Sequence, residues 1–402
     1  MKIDKRLKDH ILNAYKSVPV YCNLVNQKQL DMSLILAEEQ YEDIPIIEKS
    51  FFVQQEQSPL SPEGTILLLQ EKLIHLRTSG STGKYMDIYW KKEDYKKSML
   101  SLWWYRYLYY GILPKDKMCF FYSIGSREEQ CCENNKELGF SKSNLTRERM
   151  KSIYEKMLDF KPKWLLLQPS IAQLLCECKE TYHLKRIESV QYIELSGEVL
   201  SDRLREKIEK EFCCHVANQY GAHEFNSIAY ECPHKNMHLM TSNVLVESIQ
   251  EELVITTKTN SVMPLIRYRI GDLGHIDYDK VCPCKNSAPV LHLKAGRAND
   301  WILCENGEKI HIYVLLQAMD YMNQLLDGDI KQFQIVQNKF SEFMIHVVIS
   351  GEYMEEELSD IFEQCVLEER LKNATYKFVM HNQLIPDETV GKLACFKSLI
   401  KE

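Results

Sequence analysis

Between residues 95 and 110 the apolar side chains Met99, Leu102, Trp103, Tyr107 and Tyr110 recur three or four positions apart, which predicts an amphipathic helix. Farther on, short apolar runs alternate with helical stretches. Residues 163–167 read as a buried strand, Pro169 stands where a helix can open, and 171–182 continue it. Residues 190–195 form a second strand, followed by Ser196-Gly197 and a charged helix over 202–212, and residues 216–220 form a third strand. Strands alternating with helices predict a mostly parallel sheet covered on its faces. From Leu245 to Leu293 the segments are shorter and alternate, as in residues 252–257, with antiparallel character. Past Gly296-Arg297, residues 312–322 and 355–370 read as helices, and 333–337, 343–349 and 376–380 as strands. The first 60 residues look irregular, with Pro59 and Pro62 flanking a turn. The expected fold is therefore α/β. A large N-terminal domain over 1–298 has mixed sheets and a β-rich part at about 225–295, and a small α+β domain covers 299–402.

Composition adds bounds. A chain of 402 residues with a net charge of −7 has no global basic field for nucleic acid or an anionic membrane, so neither partner is expected. No apolar run approaches the roughly 18 residues that span a bilayer. The start, Met1-Lys-Ile-Asp-Lys-Arg, has no apolar stretch of the kind a signal peptide needs. Fourteen cysteines in that context read as reduced thiols, buried small residues or metal ligands, and the expected compartment is the cytoplasm.

The densest chemistry is Thr78-Ser-Gly-Ser-Thr-Gly-Lys84, with four hydroxyls, two glycines and an ammonium. Glycine lets backbone N–H groups approach a ligand, and hydroxyls and lysine add donors for phosphate oxygens. The spacing is not that of the Walker loop, because only Ser81 and Thr82 separate Gly80 from Gly83. A polar surface loop is the plainer alternative. Five further segments join it. Ser196-Gly-Glu-Val-Leu200 follows a strand, where open α/β sheets place ligands. Gln219-Tyr-Gly-Ala-His-Glu224 offers an aromatic face, a glycine turn and a carboxylate suited to Mg²⁺ beside phosphate. Tyr220 there suits base stacking or a place in the core. Met263-Pro-Leu-Ile-Arg-Tyr-Arg-Ile-Gly-Asp272 packs two arginines and an aspartate into one strand-like stretch, which needs either ligand binding or internal pairing. Gly296-Arg-Ala-Asn-Asp300 and Val390-Gly-Lys392 complete the set.

A separate group is Cys232, His238, Cys282 and Cys284, three thiols and an imidazole that suit tetrahedral Zn²⁺, with His234 as a competing ligand. Filling all four positions with protein makes such a metal structural. A chance grouping in a cysteine-rich chain is the alternative.

In this order and spacing the motif segments resemble the adenylate-forming superfamily of acyl-CoA ligases and adenylation domains, and most closely the phenylacetate–coenzyme A ligase family and its capsule-protein relatives. The resemblance runs from about Val18 to Lys392. It implies that Thr78, Ser79, Gly80, Ser81, Thr82, Gly83 and Lys84 cradle the β- and γ-phosphates of ATP, and that Gly197 and Glu198 line the adenine and acyl pocket. It implies further that Tyr220, beside Gly221, stacks on adenine, that Glu224 binds Mg²⁺, and that Asp272 and Arg297 hold the ribose. Lys392 would bridge the substrate carboxylate and the α-phosphate. The implied reaction activates a small carboxylic acid as its acyl-AMP and passes it to coenzyme A, or to the phosphopantetheine thiol of an acyl carrier protein, or to an amine. A non-catalytic, zinc-stabilised nucleotide-binding protein is the contrasting class. The chain departs from the family's pattern at His223, where a threonine is usual, at Tyr85, where proline is common, and at the hinge, which reads Asn299-Asp300. The acyl pocket is expected from residues 120–126 and 195–199 with Ala222 and His223. Phe121 and Tyr122 suit an aromatic or apolar acid, or simply a core strand.

Overall fold

The computed structural model describes residues 3–53, 57–78, 86–122, 131–142, 145–297, 301–384 and 394–400. The chain opens with helices α1 (Lys5–Ser17), α2 (Pro19–Lys28), α3 (Met32–Ala37), α4 (Lys49–Val53) and α5 (Pro62–Leu69). The irregular start expected from the sequence is thus helical. In α1 the Asp4 side chain caps the Leu7 N–H, and Leu7, Ile11, Ala14 and Tyr15 fall on one buried face. Pro62 opens α5 behind the Ser61 cap, because its missing N–H would be unpaired there anyway.

Strands β1 (Leu73–Arg77) and β2 (Asp87–Lys91) form a hairpin, and α6 (Lys92–Tyr110) runs to the left-handed Gly111. Then come β3 (Met118–Tyr122), β4 (Cys131–Glu133), β5 (Glu137–Ser141), α7 (Arg147–Phe160), β6 (Trp164–Leu167), α8 (Pro169–Thr181), β7 (Tyr192–Ser196) and α9 (Asp202–Phe212). A β-rich stretch follows, with β8 (His215–Ala222), β9 (Asn226–Glu231), β10 (Met237–Leu239), β11 (Val244–Ile249), β12 (Glu252–Thr257), β13 (Tyr268–Asp277) and β14 (Val290–Arg297). The chain ends with β15 (Trp301–Leu303), β16 (Lys309–His311), α10 (Tyr313–Leu325), β17 (Ile330–Lys339), β18 (Glu342–Ile349), α11 (Glu355–Cys365), β19 (Thr375–Met380) and β20 (Phe396–Ser398). Helix α11 is shorter than its pattern predicted. Val366 turns out of the helix, and it and Leu371 are buried.

These elements gather into two compact units, residues 1–114 with 217–293 and residues 115–216 with 294–402. In the first unit β11-β12-β13-β14-β10-β9-β8 lie side by side, with antiparallel pairing at β11–β12, β12–β13, β10–β14, β9–β10 and β8–β9. Its core joins α1–α4 to these strands through residues such as Tyr21, Tyr41, Trp90, Phe225 and Tyr268. In the second unit β7-β6-β3-β5 are parallel, as the alternation of strands and helices predicted, and β4 closes the edge antiparallel. A second sheet there, β19-β18-β17-β20, packs against α10 and α11. The expected domain boundary at residues 298–299 lies outside the described residues.

Candidate functional site

The phosphate-loop motif begins at Thr78, directly after β1 of the β1–β2 hairpin. Arg77 pairs with Asp87, so residues 78–86 make the connection. Its neck is closed twice. The Thr78 N–H donates to the Met86 carbonyl at 3.0 Å, and the Met86 N–H donates to Thr78 Oγ1 at 3.1 Å. Lys49, at the start of α4, donates from Nζ to the same Oγ1 at 2.8 Å. Ser79, Gly80, Ser81, Thr82, Gly83, Lys84 and Tyr85 lie outside the described residues.

The Tyr-Gly-x-x-Glu segment ends β8 and turns into β9. Gly221 is required by the backbone, because a Cβ there would collide with the Asn226 carbonyl of the facing strand. The turn presents His223 exposed and Glu224 buried, at 8% exposure. The indole N–H of Trp90, on β2, donates to the His223 carbonyl at 3.0 Å and ties the hairpin to this turn. Tyr220 is half-buried at the margin of the core, and its hydroxyl donates to the Asp272 carboxylate at 2.7 Å.

The Arg-Tyr-Arg-x-Gly-Asp segment divides its charges. Arg267 is buried and bidentate on Glu247, at 2.9 and 3.1 Å, and also donates to the Glu42 and Ile44 carbonyls. Arg269 pairs with Glu48 and Glu252 at 3.0 and 2.8 Å. Both arginines therefore hold the N-terminal segment and neighbouring strands onto the sheet, and Asp272 faces Tyr220.

In the second unit Gly197 follows β7 with a φ of 87°, a backbone that favours glycine. Glu198 accepts the Ser170 N–H and hydroxyl at 2.9 Å each and so caps α8. Phe121 belongs to the buried core beside Phe140, and Tyr122 is buried as well, which places both on a core strand. The Arg297 side chain, Asn299, Asp300 and Lys392 lie outside the described residues. A cavity of about 250 Å³ in this unit, lined by Arg147, Glu177, Lys207, Lys331 and His381 among others, holds none of the motif residues.

The four cysteine-site residues converge in the first unit. Their ligand atoms lie within 4.8 Å of one another. Cys232 Sγ is 3.6 Å from Cys282 Sγ, and Cys284 Sγ is 3.2 Å from His238 Nε2. Tetrahedral zinc with ordinary bond lengths would set these edges at about 3.8 and 3.6 Å. His238 Nδ1 donates to the Ala288 carbonyl at 2.8 Å, which fixes the ring and leaves Nε2 as the ligand atom. His234 is exposed and outside the cluster. The two cysteine turns repeat one design, Cys232-Pro-His-Lys235 and Cys282-Pro-Cys-Lys285. In each the lysine N–H donates to the first cysteine's carbonyl, at 2.9 and 3.0 Å, and the lysine takes a left-handed φ of 60° or 63°. Burial raises the Cys282 thiol, but the Cys284 N–H and the other three ligands outweigh that and hold it at about 6. The donor set fits zinc.

Two groups of residues escaped the sequence reading. Lys49 lies in the stretch that looked irregular. Tyr109, Asn236 and Asn286 surround the thiols, with Asn236 Nδ2 3.2 Å from Cys282 Sγ. Their roles arise from tertiary contacts and carry no local signal.

This architecture has known counterparts. It superposes on 2-hydroxyisobutyryl-CoA ligase in complex with 2-HIB-AMP, with a TM-score of 0.74, 16% identity, and 98% of this chain and 88% of that one covered. It also matches the anthranilate CoA ligase AuaEII in complex with anthranoyl-AMP, with a TM-score of 0.53 and 11% identity over 80% of this chain and 66% of that one. The fold is that of the adenylate-forming acyl-CoA ligases. In sequence the chain is similar to a protein named CapK and to a phenylacetate-coenzyme A ligase. Residues 302–398 match the CapK C-terminal domain family. Protein CapK of Staphylococcus aureus is 24% identical over 301 residues, 70% of this chain and 65% of CapK, so the match spans slightly under two thirds of that relative. Phenylacetate-coenzyme A ligase of Thermus thermophilus is 22% identical over 327 residues, 75% of this chain and 70% of the ligase.

Proposed function

We propose that this chain is an AMP-forming acid–thiol ligase, which activates a small carboxylic acid with ATP and transfers the acyl group to a thiol, coenzyme A first among the acceptors. The observation that carries the reading is the clustering in one unit of three motif elements. The neck of the phosphate loop at Thr78 is tied through β2 and Trp90 to the turn bearing Glu224, and Tyr220 contacts Asp272. The solved counterparts named as CoA ligases and bound to acyl-adenylates support it at the level of fold.

In this reading residues 78–84 hold the leaving pyrophosphate, Tyr220 stacks on adenine, and Asp272 and Arg297 take the ribose. Gly197 and Glu198 border the adenine and acyl groups. Glu224 is a buried carboxylate on an exposed turn, which suits Mg²⁺ accompanying ATP. The ion, when bound, screens the phosphate charges. Lys392 stabilises charge on the bridging oxygens as the carboxylate attacks, the kind of fixed cation that dominates such reactions. His223 takes the place of a threonine beside the adenylate. Zn²⁺ on Cys232, His238, Cys282 and Cys284 has a structural role and no part in these steps. Fourteen free cysteines accord with a reducing compartment, the cytoplasm. No described helix is long and apolar enough to cross a membrane.

The test is ATP–pyrophosphate exchange with a panel of aryl, 2-hydroxy and short aliphatic acids. Exchange that depends on one acid class is expected. No exchange with any acid, from protein that binds MgATP, would overturn the ligase reading in favour of a nucleotide-binding scaffold.

A further inference from the structure

Of the four residues gathered at the cysteine site, Cys284 is the open corner. Cys232, His238 and Cys282 are buried, and Cys284 is only half-buried. Cys282 Sγ accepts from Asn236 Nδ2 at 3.2 Å, and the His238 ring is fixed by the Ala288 carbonyl. Cys284 Sγ accepts the Asn286 N–H of its own turn at 3.4 Å. Its further donor comes from α6, where the Tyr109 hydroxyl reaches the same sulfur at 3.9 Å and accepts from Asn286 Nδ2 at 3.5 Å. A phenol keeps its proton at neutral pH, so toward a thiolate it is a donor.

The rings around Tyr109 hold it in this place. Tyr105, one turn earlier on the same face of α6, stacks on Tyr109 with centroids 5.3 Å apart and on Tyr230 at 6.5 Å. Tyr110 meets Tyr230 edge-on at 6.3 Å, and its hydroxyl donates to the Glu231 carbonyl at 3.3 Å. Tyr230 and Glu231 end β9 directly before Cys232. The last turn of α6 is thus bound on one side to the strand that delivers Cys232 and on the other to the loop that delivers Cys284. The first residue of α6 follows directly on β2, whose Trp90 holds the turn that bears Glu224. One helix therefore has the cysteine site at one end and that turn at the other.

We propose that Tyr109 positions the Cys284 thiolate as a zinc ligand, and that this contact makes the metal site the anchor for the C-terminal turn of α6. The proposal rests on the reading of Cys232, His238, Cys282 and Cys284 as a zinc site. A donor on a metal-bound sulfur draws off part of its charge and fixes its direction, which is how outer partners strengthen a metal site. The open corner of the tetrahedron is the ligand where such help matters most.

Zinc affinity, read by competition with a chromophoric chelator, gives the first test. Tyr109→Phe keeps the stacked ring and removes only the hydroxyl. It should weaken zinc about 10-fold, the lower end of what loss of an outer partner costs. Tyr110→Phe, whose lost hydroxyl donates to a carbonyl, should change it by less than about twofold. Cobalt(II) in place of zinc gives a readout that a packing defect would not mimic. Losing a donor raises the energy of the sulfur lone pairs, so the sulfur-to-cobalt charge-transfer band should move to longer wavelength in Tyr109→Phe and stay in place in Tyr110→Phe. Hydrogen exchange of wild-type protein reads the anchor and needs no variant. Zinc removal should speed exchange at residues 105–111 and leave residues 96–102 within about twofold. Wild-type zinc affinity or an unshifted band in Tyr109→Phe would overturn the positioning role, and exchange that rises evenly along α6 would overturn the anchor. Wild-type protein that neither carries nor binds zinc would instead end the metal reading on which the proposal rests.

Discussion

His10 is a titratable group on the packed face of α1, and its Nε2 is buried with no hydrogen-bond partner among the described residues. Burial, reinforced by Arg6 and only partly opposed by Asp94, lowers its pKa to about 4. An unfolded histidine titrates near 6.5. Below that pH the unfolded chain takes up a proton that the folded chain refuses, so stability is intact above about 6.5 and falls as pH drops toward 4. By pH 5 the loss attributable to His10 is about 2 kcal/mol. Urea unfolding at pH 7 and pH 5 should show it, and His10→Gln should flatten that part of the profile. A variant with the same pH slope as wild type would assign the acid sensitivity elsewhere. Arg267 shows the opposite solution for a buried charge. It is 3% exposed, yet a bidentate carboxylate and two carbonyls engage its guanidinium. Removing one partner of such a pair typically costs about 3–5 kcal/mol, because the other charge stays buried. That pairing accounts for Arg267 in the strand-like motif without any call on the ligand.

At the scale of elements, what the sequence disclosed follows the range of the forces involved. Residues 163–222 were legible because each strand is a short apolar run and each helix has a capping or opening residue, such as Pro169 or Ser201. The N-terminal helices were missed although Leu7, Ile11 and Tyr15 keep helical spacing, because α3 and α4 have only 6 and 5 residues and take their stability from tertiary packing. Of the site, the glycine, tyrosine and carboxylate positions could be read from local motifs. Lys49, Tyr109 and the pairing of Tyr220 with Asp272 could not, because each joins segments far apart in the chain. The cysteine turns were readable because the ligand chemistry is local and each turn repeats Cys-Pro-x-Lys. They also permit a test. Between Tyr278 and Val290 the chain has no regular strand or helix, and Cys282 and Cys284 sit within it. Protein purified without added metal should carry about one equivalent of zinc, and Cys282→Ser should lose it and melt at least about 5 °C lower. Less than about a tenth of an equivalent in wild-type protein would leave the four side chains a thiol–imidazole cluster without a metal.

For the whole molecule, the chain passes between the two units at residues 114–115, 216–217 and 293–294. The first unit collects Thr78, Tyr220, Gly221, His223, Glu224, Asp272 and the cysteine site, and the second carries Gly197, Glu198 and everything from Lys294 onward. If adenylation is the reaction, its residues should separate into two kinds by variant behaviour. In the first unit, Tyr220 and Asp272 should act on nucleotide binding. Lys392 should act chiefly on the chemical step, since the negative charge it faces is greatest as the bridging oxygens develop charge in the transition state. Lys392→Ala should therefore lower acid-dependent pyrophosphate exchange by about 10²–10³-fold, the loss seen when one such stabilising donor is removed. It should leave MgATP affinity and melting temperature unchanged. A synthetic acyl-adenylate supplied to that variant should still react with coenzyme A, because thiol attack does not need the group that stabilised carboxylate attack. Exchange at the wild-type rate would remove Lys392 from the mechanism. Loss of both half-reactions together would mean that it supports the fold, or both steps alike, and that its assignment to adenylation is wrong.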